Sequence, residues 1–228
     1  MHTYTLIYIY TVTETIDTVF IVVAGNIGAG KTTLTNMLAR HYGWEPKLEA
    51  VARNPYMEDY YRDLHRWSFC FEVFFLKERF RDLLGISGTD KDVIQDRSIF
   101  EGVHIFAANN QAMGNMEQRD YDTFLELFRQ MTSVARMPDL MIYLRASIPH
   151  LVANIQKRGR DYEQAIPIDY LQNLNDRYED FIRNKYEGRV LTIDVDNLDF
   201  LNRSEDFLLI TDKIDRILYS LFPEENNE

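Results

Sequence analysis

"VFIVVAGNIGAGKTTLTNMLARHY", residues 19–42, is the stretch that decides the fold. Its first six residues form an unbroken apolar run rich in β-branched side chains, which suits a strand buried on both faces of a parallel sheet. Its last eleven, from Thr32 on, read as a helix. Between them "GNIGAGKT", 25–32, matches G-x-x-x-x-G-K-[ST] in the strand-to-helix setting that this phosphate-binding loop requires. Gly25, Gly28 and Gly30 let the backbone curl so that successive N–H groups converge on one anion, and the helix N-terminus adds partial positive charge. Lys31 would reach the β- and γ-phosphates of a nucleoside triphosphate and Thr32 would bind Mg²⁺. Asn26, Ile27, Ala29 and Thr33 complete the expected cradle.

Outward from this unit, apolar runs recur at "DVIQD" (92–96), "DLMIYLRA" (139–146) and "RVLTIDV" (189–195), separated by long segments of helical periodicity. Strands alternating with helices predict an α/β fold with a parallel sheet covered on both faces. "LLGISGTD", 83–90, reads as a loop, and no repeat or Pro/Gly/Ser linker divides the chain. A single domain over 19–222 is therefore expected, between an extension at 1–18 of unassigned role and an acidic tail at 223–228. A natural start near Val19 would make that extension an artefact of gene calling.

The 228 residues carry 25 Lys+Arg against 36 Asp+Glu, a net charge of −11 that opposes non-specific attraction to nucleic acid or acidic membranes. Any phosphate must be handled locally. One cysteine, Cys70, excludes an internal disulfide framework, and no signal peptide precedes the first strand, so a cytoplasmic setting is expected. No apolar run reaches the roughly 20 residues needed to span a bilayer. A guanine-specifying N-K-x-D is missing, which weighs against a GTPase switch.

Four more segments follow in order: "LEAVARNPY" (48–56), "RWSFCFE" (66–72), "DRSIFEG" (96–102) and "KRGRDYEQAIPIDYL" (157–171). With the phosphate loop they resemble the deoxynucleoside kinase family, whose members transfer the γ-phosphate of ATP to the 5′-hydroxyl of a deoxynucleoside. The resemblance implies a P-loop kinase fold around a five-stranded parallel sheet, Mg²⁺ with ATP as donor, and a homodimer. By the same resemblance Glu49, at the end of a predicted second strand, is the catalytic carboxylate that accepts the 5′-hydroxyl proton. Arg97 faces the 5′ end and the transferring phosphoryl, and Asp96 holds Mg²⁺ with Thr32. Arg158 and Arg160 form a lid near 157–163 that closes over the phosphates, with Asn154 standing where some relatives carry another arginine. Glu163 and Tyr61 bind the sugar 3′-hydroxyl, Tyr60 being the adjacent candidate. Asp196, in "DVDNLDF" (194–200), belongs to the loop that touches the adenine of ATP.

"WSFCFEVFF", 67–75, puts Trp67, Cys70, Phe71, Phe74 and Phe75 on one helical face, while Glu72 and Arg79, seven residues apart, share a side. The family holds a glutamine and an arginine at these two positions to read the base edge. Glutamine offers a donor and an acceptor, whereas an ionised carboxylate only accepts. Guanine presents two adjacent donors, so Glu72 favours deoxyguanosine, with deoxyadenosine next and a plain Glu72–Arg79 ion pair as the bland alternative. Gly102, where many relatives carry an aspartate, is expected to leave room for a larger base. Two competing readings of the whole chain are a thymidylate kinase-like monophosphate kinase and a non-catalytic ATP-binding regulator.

Overall fold

The computed structural model describes residues 18–49, 51–160, 163 and 166–221. The extension read at 1–18, beyond Thr18, and the acidic tail at 223–228 lie outside the described residues. Five strands form one parallel sheet: β1 (Phe20–Gly25), β2 (Glu45–Lys47), β3 (Val93–Asp96), β4 (Leu140–Arg145) and β5 (Val190–Asp194), in the spatial order β2-β3-β1-β4-β5. Each expected strand with quoted bounds is found, within about a residue of its sequence limits. The second is the shortest: it lies at the edge, where Pro46 interrupts no inner ladder.

The helices are α1 (Lys31–Tyr42), α2 (Met57–Arg62), α3 (Leu64–Ser87), α4 (Ile99–Glu101), α5 (Ala108–Ala112), α6 (Gln118–Thr132), α7 (Ile148–Arg158), α8 (Ile168–Asn184) and α9 (Ser204–Leu221). A π-helical turn, Gly102–Ala107, joins α4 to α5. Alternation along β1 divides the core in two. Phe20, Val22 and Ala24 face a layer from α3, α6, α8 and the π turn, including Leu76, Phe124 and Tyr178. Ile21 and Val23 face the other layer, where Leu34 and Leu38 of α1 pack with Leu151 of α7 and Ile214 of α9.

Gly30 starts α1 in the left-handed conformation (φ 92°) and Gly43 ends it the same way (φ 74°). At Gly28 (φ 88°) a Cβ would lie 2.7 Å from the Leu151 carbonyl oxygen, so the loop fits against α7 only because that residue has no side chain. The 24 residues of α3 are buried on more than one side: Leu76 and Leu83 enter the main core, while Phe71 and Phe75 cluster with Tyr60. The expected loop at 83–90 is corrected to a helix as far as Ser87, since burial of Leu83 and Ile86, one turn apart, outweighs the helix-breaking tendency of Gly85.

The carboxyl ends of β1 and β3 lie side by side, with Val23 paired to Asp96, so the phosphate loop and Arg97 emerge at one sheet edge. Replacing the fully buried Leu38 by alanine should lower stability by about 2–5 kcal/mol. A lower urea midpoint at constant m-value checks this.

Candidate active site

At that edge lies a cavity of about 280 Å³ whose walls include Lys31, Thr32, Glu49, Tyr61, Glu72, Arg79, Asp96, Arg97, Arg158, Arg160 and Glu163. Segments distant in sequence converge here, as the ordered motifs required.

Its floor is Arg97, buried, with a φ of 71° that no other described non-glycine residue shares on the positive side. The left-handed backbone costs about 1 kcal/mol or more and turns the side chain under the cavity. The Arg97 Nε donates to Glu49 at 3.2 Å, and its other arm donates to Glu101 at 3.3 Å and to the Tyr178 hydroxyl at 2.8 Å. Phe106 lies beneath the guanidinium, 4.5 Å from ring centroid to carbon. Glu101 is fully buried and also accepts from the Ser98 N–H at 2.6 Å and the Gly25 N–H at 3.3 Å. The Tyr178 hydroxyl lies 2.8 Å from the Gly25 carbonyl oxygen and 2.7 Å from Glu101. One hydrogen-bonded hub thus ties the phosphate loop to β3 and α8.

Glu49 stands two residues beyond β2 and is paired with both Arg79 and Arg97. Burial pushes its carboxyl up, but Arg97, Arg79 and Lys31 outweigh that and hold it at about 2. Lys31 donates to the Asn26 carbonyl at 2.8 Å, and burial with repulsion from Arg97 lowers its ammonium to about 8. Thr32 donates to Asp96 Oδ2 at 2.5 Å, while the buried Asp96 Oδ1 has no hydrogen-bond partner among the described residues. Hydroxyl and carboxylate oxygens suit a hard cation that takes few protein ligands, which Mg²⁺ does. Among the described residues no group of three or more His, Cys, Asp or Glu gathers for a metal.

Glu72 and Arg79 do line one cavity, yet the bland Glu72–Arg79 ion pair is not found. Arg79 reaches Glu49, and Glu72 accepts from Asn110 Nδ2 at 3.1 Å. Burial pushes the Glu72 carboxyl up to about 8, against the pull of Arg79 and Arg97. The expectation for Gly102 is also corrected. A Cβ there would sit 2.9 Å from an Arg79 terminal nitrogen, so the vacated space holds the guanidinium and gives no room to a base.

Tyr61 and Tyr60 both line the cavity, Tyr61 exposed and Tyr60 buried and donating to Asn110. Arg158 and Arg160 both bind Glu163, at 2.8 and 3.2 Å. Asn154 donates to the Gly28 carbonyl at 2.8 Å and so braces the loop. A second groove of about 470 Å³ runs along the far side of the loop, past Gly28, Ala29, Gly30 and Thr33 to Leu198 and Phe200. Asp196 does not line it; its carboxylate accepts from the Ser147 N–H at 2.8 Å and fixes the start of α7. Sequence reasoning missed Glu101, Asn110, Phe106, Tyr178 and Tyr170, the last of which lines the cavity. Only Glu101 had a local signal, the capping box it forms with Ser98.

A family model described as "Deoxynucleoside kinase" matches residues 21–219. Deoxyadenosine/deoxycytidine kinase of Bacillus subtilis is 36% identical over 87% of this chain and 93% of its own length. Deoxyguanosine kinase of the same organism is also 36% identical, over 82% of this chain and 92% of its own. A solved deoxyadenosine kinase from M. mycoides with bound dATP superposes with a TM-score of 0.76 at 31% identity, covering 86% of this chain and 99% of that one.

The raised Glu72 carboxyl has a signed consequence for stability. Between pH 4.5 and about 8 the folded chain keeps this proton while the unfolded chain has lost it, so the stability it contributes below 4.5 is lost as pH rises through that window. Glu72→Gln removes the titration. Comparing urea midpoints at pH 5 and 8.5, the substitution should gain on the parent by on the order of a few kcal/mol at the higher pH.

Proposed function

The chain belongs to the deoxynucleoside kinase family, and we propose that it moves the γ-phosphoryl group of ATP to the 5′-hydroxyl of a purine deoxynucleoside, deoxyguanosine ahead of deoxyadenosine, in nucleotide salvage. The observation that carries this reading is Glu49: an ionised carboxylate between two guanidiniums, in a cavity that also meets Lys31 and Thr32. Within hydrogen-bond reach of a 5′-hydroxyl it accepts the proton as that oxygen bonds to phosphorus and the ADP oxygen leaves. Arg97 and Lys31 stabilise the charge spread over the equatorial oxygens. Arg158 and Arg160, here bonded to Glu163, are the cations that a closing lid would bring to the phosphates, and Glu163 with Tyr61 is the pair that meets the 3′-hydroxyl.

ATP phosphates occupy the cradle from Gly25 to Thr33, with the adenine in the groove bounded by Leu198 and Phe200. The Asp96 Oδ1 and the Thr32 hydroxyl are the groups that would hold Mg²⁺, which would supply positive charge to the donor phosphates. A homodimer in the cytoplasm belongs to the same reading and rests on the resemblance.

Base choice rests on Glu72. Guanine's N1–H and 2-amino group give two donors to a carboxylate, whereas adenine's acceptor and donor match the protonated acid. Glu72→Gln should lower the ratio of kcat/KM for deoxyguanosine over deoxyadenosine about tenfold or more; an unchanged ratio overturns the base assignment. Glu49→Gln should cut kcat about 100-fold or more while ATP binding changes little. Labelled ATP offered against deoxynucleosides and their monophosphates tests the acceptor class, and preferential use of monophosphates contradicts it.

A further inference from the structure

Asn110, in α5, is fully buried and has no part in the phosphoryl transfer described above. It touches the cavity through others. The Tyr60 hydroxyl donates to Asn110 Oδ1 at 3.1 Å, which turns Asn110 Nδ2 onto Glu72 Oε1, also at 3.1 Å. Tyr60 is in turn fixed by stacking on Phe71, with ring centroids 3.9 Å apart, so the amide's orientation is set from a packed wall. Water does not reach this amide to offer it another partner.

Charge explains why such a donor matters here. Lys31, Arg79 and Arg97 already match Glu49, Asp96 and Glu101, and Arg79 is drawn to Glu49. Among the described residues Glu72 has no cation in ion-pair contact, and Asn110 supplies a neutral donor in place of one. Once ionised, with Oε1 engaged by that donor, Glu72 turns only acceptor lone pairs toward the cavity. If the amide turned over, its oxygen would face Glu72 and would instead stabilise the protonated acid, which offers the base one donor and one acceptor.

We infer that Asn110 is a positioning residue for base choice: held by Tyr60, it donates to Glu72 and favours the ionised form once a base donates to it as well, and so favours a base edge with two adjacent donors over one with a donor beside an acceptor. The inference rests on the proposed reading of Glu72 as the base-facing group.

The test measures the deoxyguanosine-to-deoxyadenosine ratio of kcat/KM in the full chain and in Asn110→Leu, Tyr60→Phe, Glu72→Gln and the Asn110→Leu/Glu72→Gln double variant. Because both substrates are assayed on one preparation, the folded fraction cancels from the ratio. Asn110→Leu should lower the ratio about tenfold and Tyr60→Phe, which frees the amide to turn, about threefold. The double variant should match Glu72→Gln alone, because Asn110 acts through Glu72. If Asn110→Leu does not fold, Tyr60→Phe and Asn110→Ser decide by the same ratio. A Glu72→Gln shift with both wall variants within about twofold of the parent overturns the role of Asn110. A ratio unmoved by Glu72→Gln overturns the underlying reading of Glu72.

Discussion

The Arg97 guanidinium is buried between two carboxylates, Glu49 on one arm and Glu101 on the other, with Tyr178 closing the second arm. An unpaired guanidinium at this depth would be strongly destabilising, so the surrounding elements must be arranged to surround it. Glu101 enters from α4, Tyr178 from α8, Glu49 from the exit of the edge strand and Gly25 from the phosphate loop. Remove any of these and a charge or a buried N–H loses its partner. The same cluster places an ionised carboxylate beside the phosphate cradle, so packing of the fold and preparation of the chemistry share one set of hydrogen bonds.

From that cluster follows the character of the wall opposite. This chain has Gly102, and Arg79 passes beside it to reach Glu49. Glu72 is thereby left to a neutral amide, and burial pushes its carboxyl up to about 8. A ligand that donates two hydrogen bonds there offsets the burial of the charge; one that donates once does not. Base choice in this account is a consequence of where Arg79 finds its counter-ion.

The first strand and the phosphate loop were legible in the sequence because both are local: a β-branched run, three glycines at fixed offsets and a following helix span about two dozen residues. Ordered motifs carried the family and most cavity residues. Partners were not legible. Tyr178 meets Gly25 across 153 positions and Asn110 meets Glu72 across 38, in helices whose periodicity marks them only as buried. Seven-residue spacing put Arg79 on the same side as Glu72, but Glu49, 30 positions upstream, claimed it. At Leu83–Ser87 local glycine signals pointed to a loop, and tertiary burial extended the helix instead.

In the proposed reading one wall of the cavity meets the base through Glu72 while Glu49 meets the 5′-hydroxyl. A crystal structure with deoxyguanosine bound tests it most directly. The account predicts a Glu49 carboxylate oxygen about 2.6–3.2 Å from the 5′-oxygen and both Glu72 oxygens within the same range of guanine N1 and the 2-amino nitrogen. A base held by Arg79 with Glu72 turned away, or a 5′-oxygen out of reach of Glu49, would contradict it.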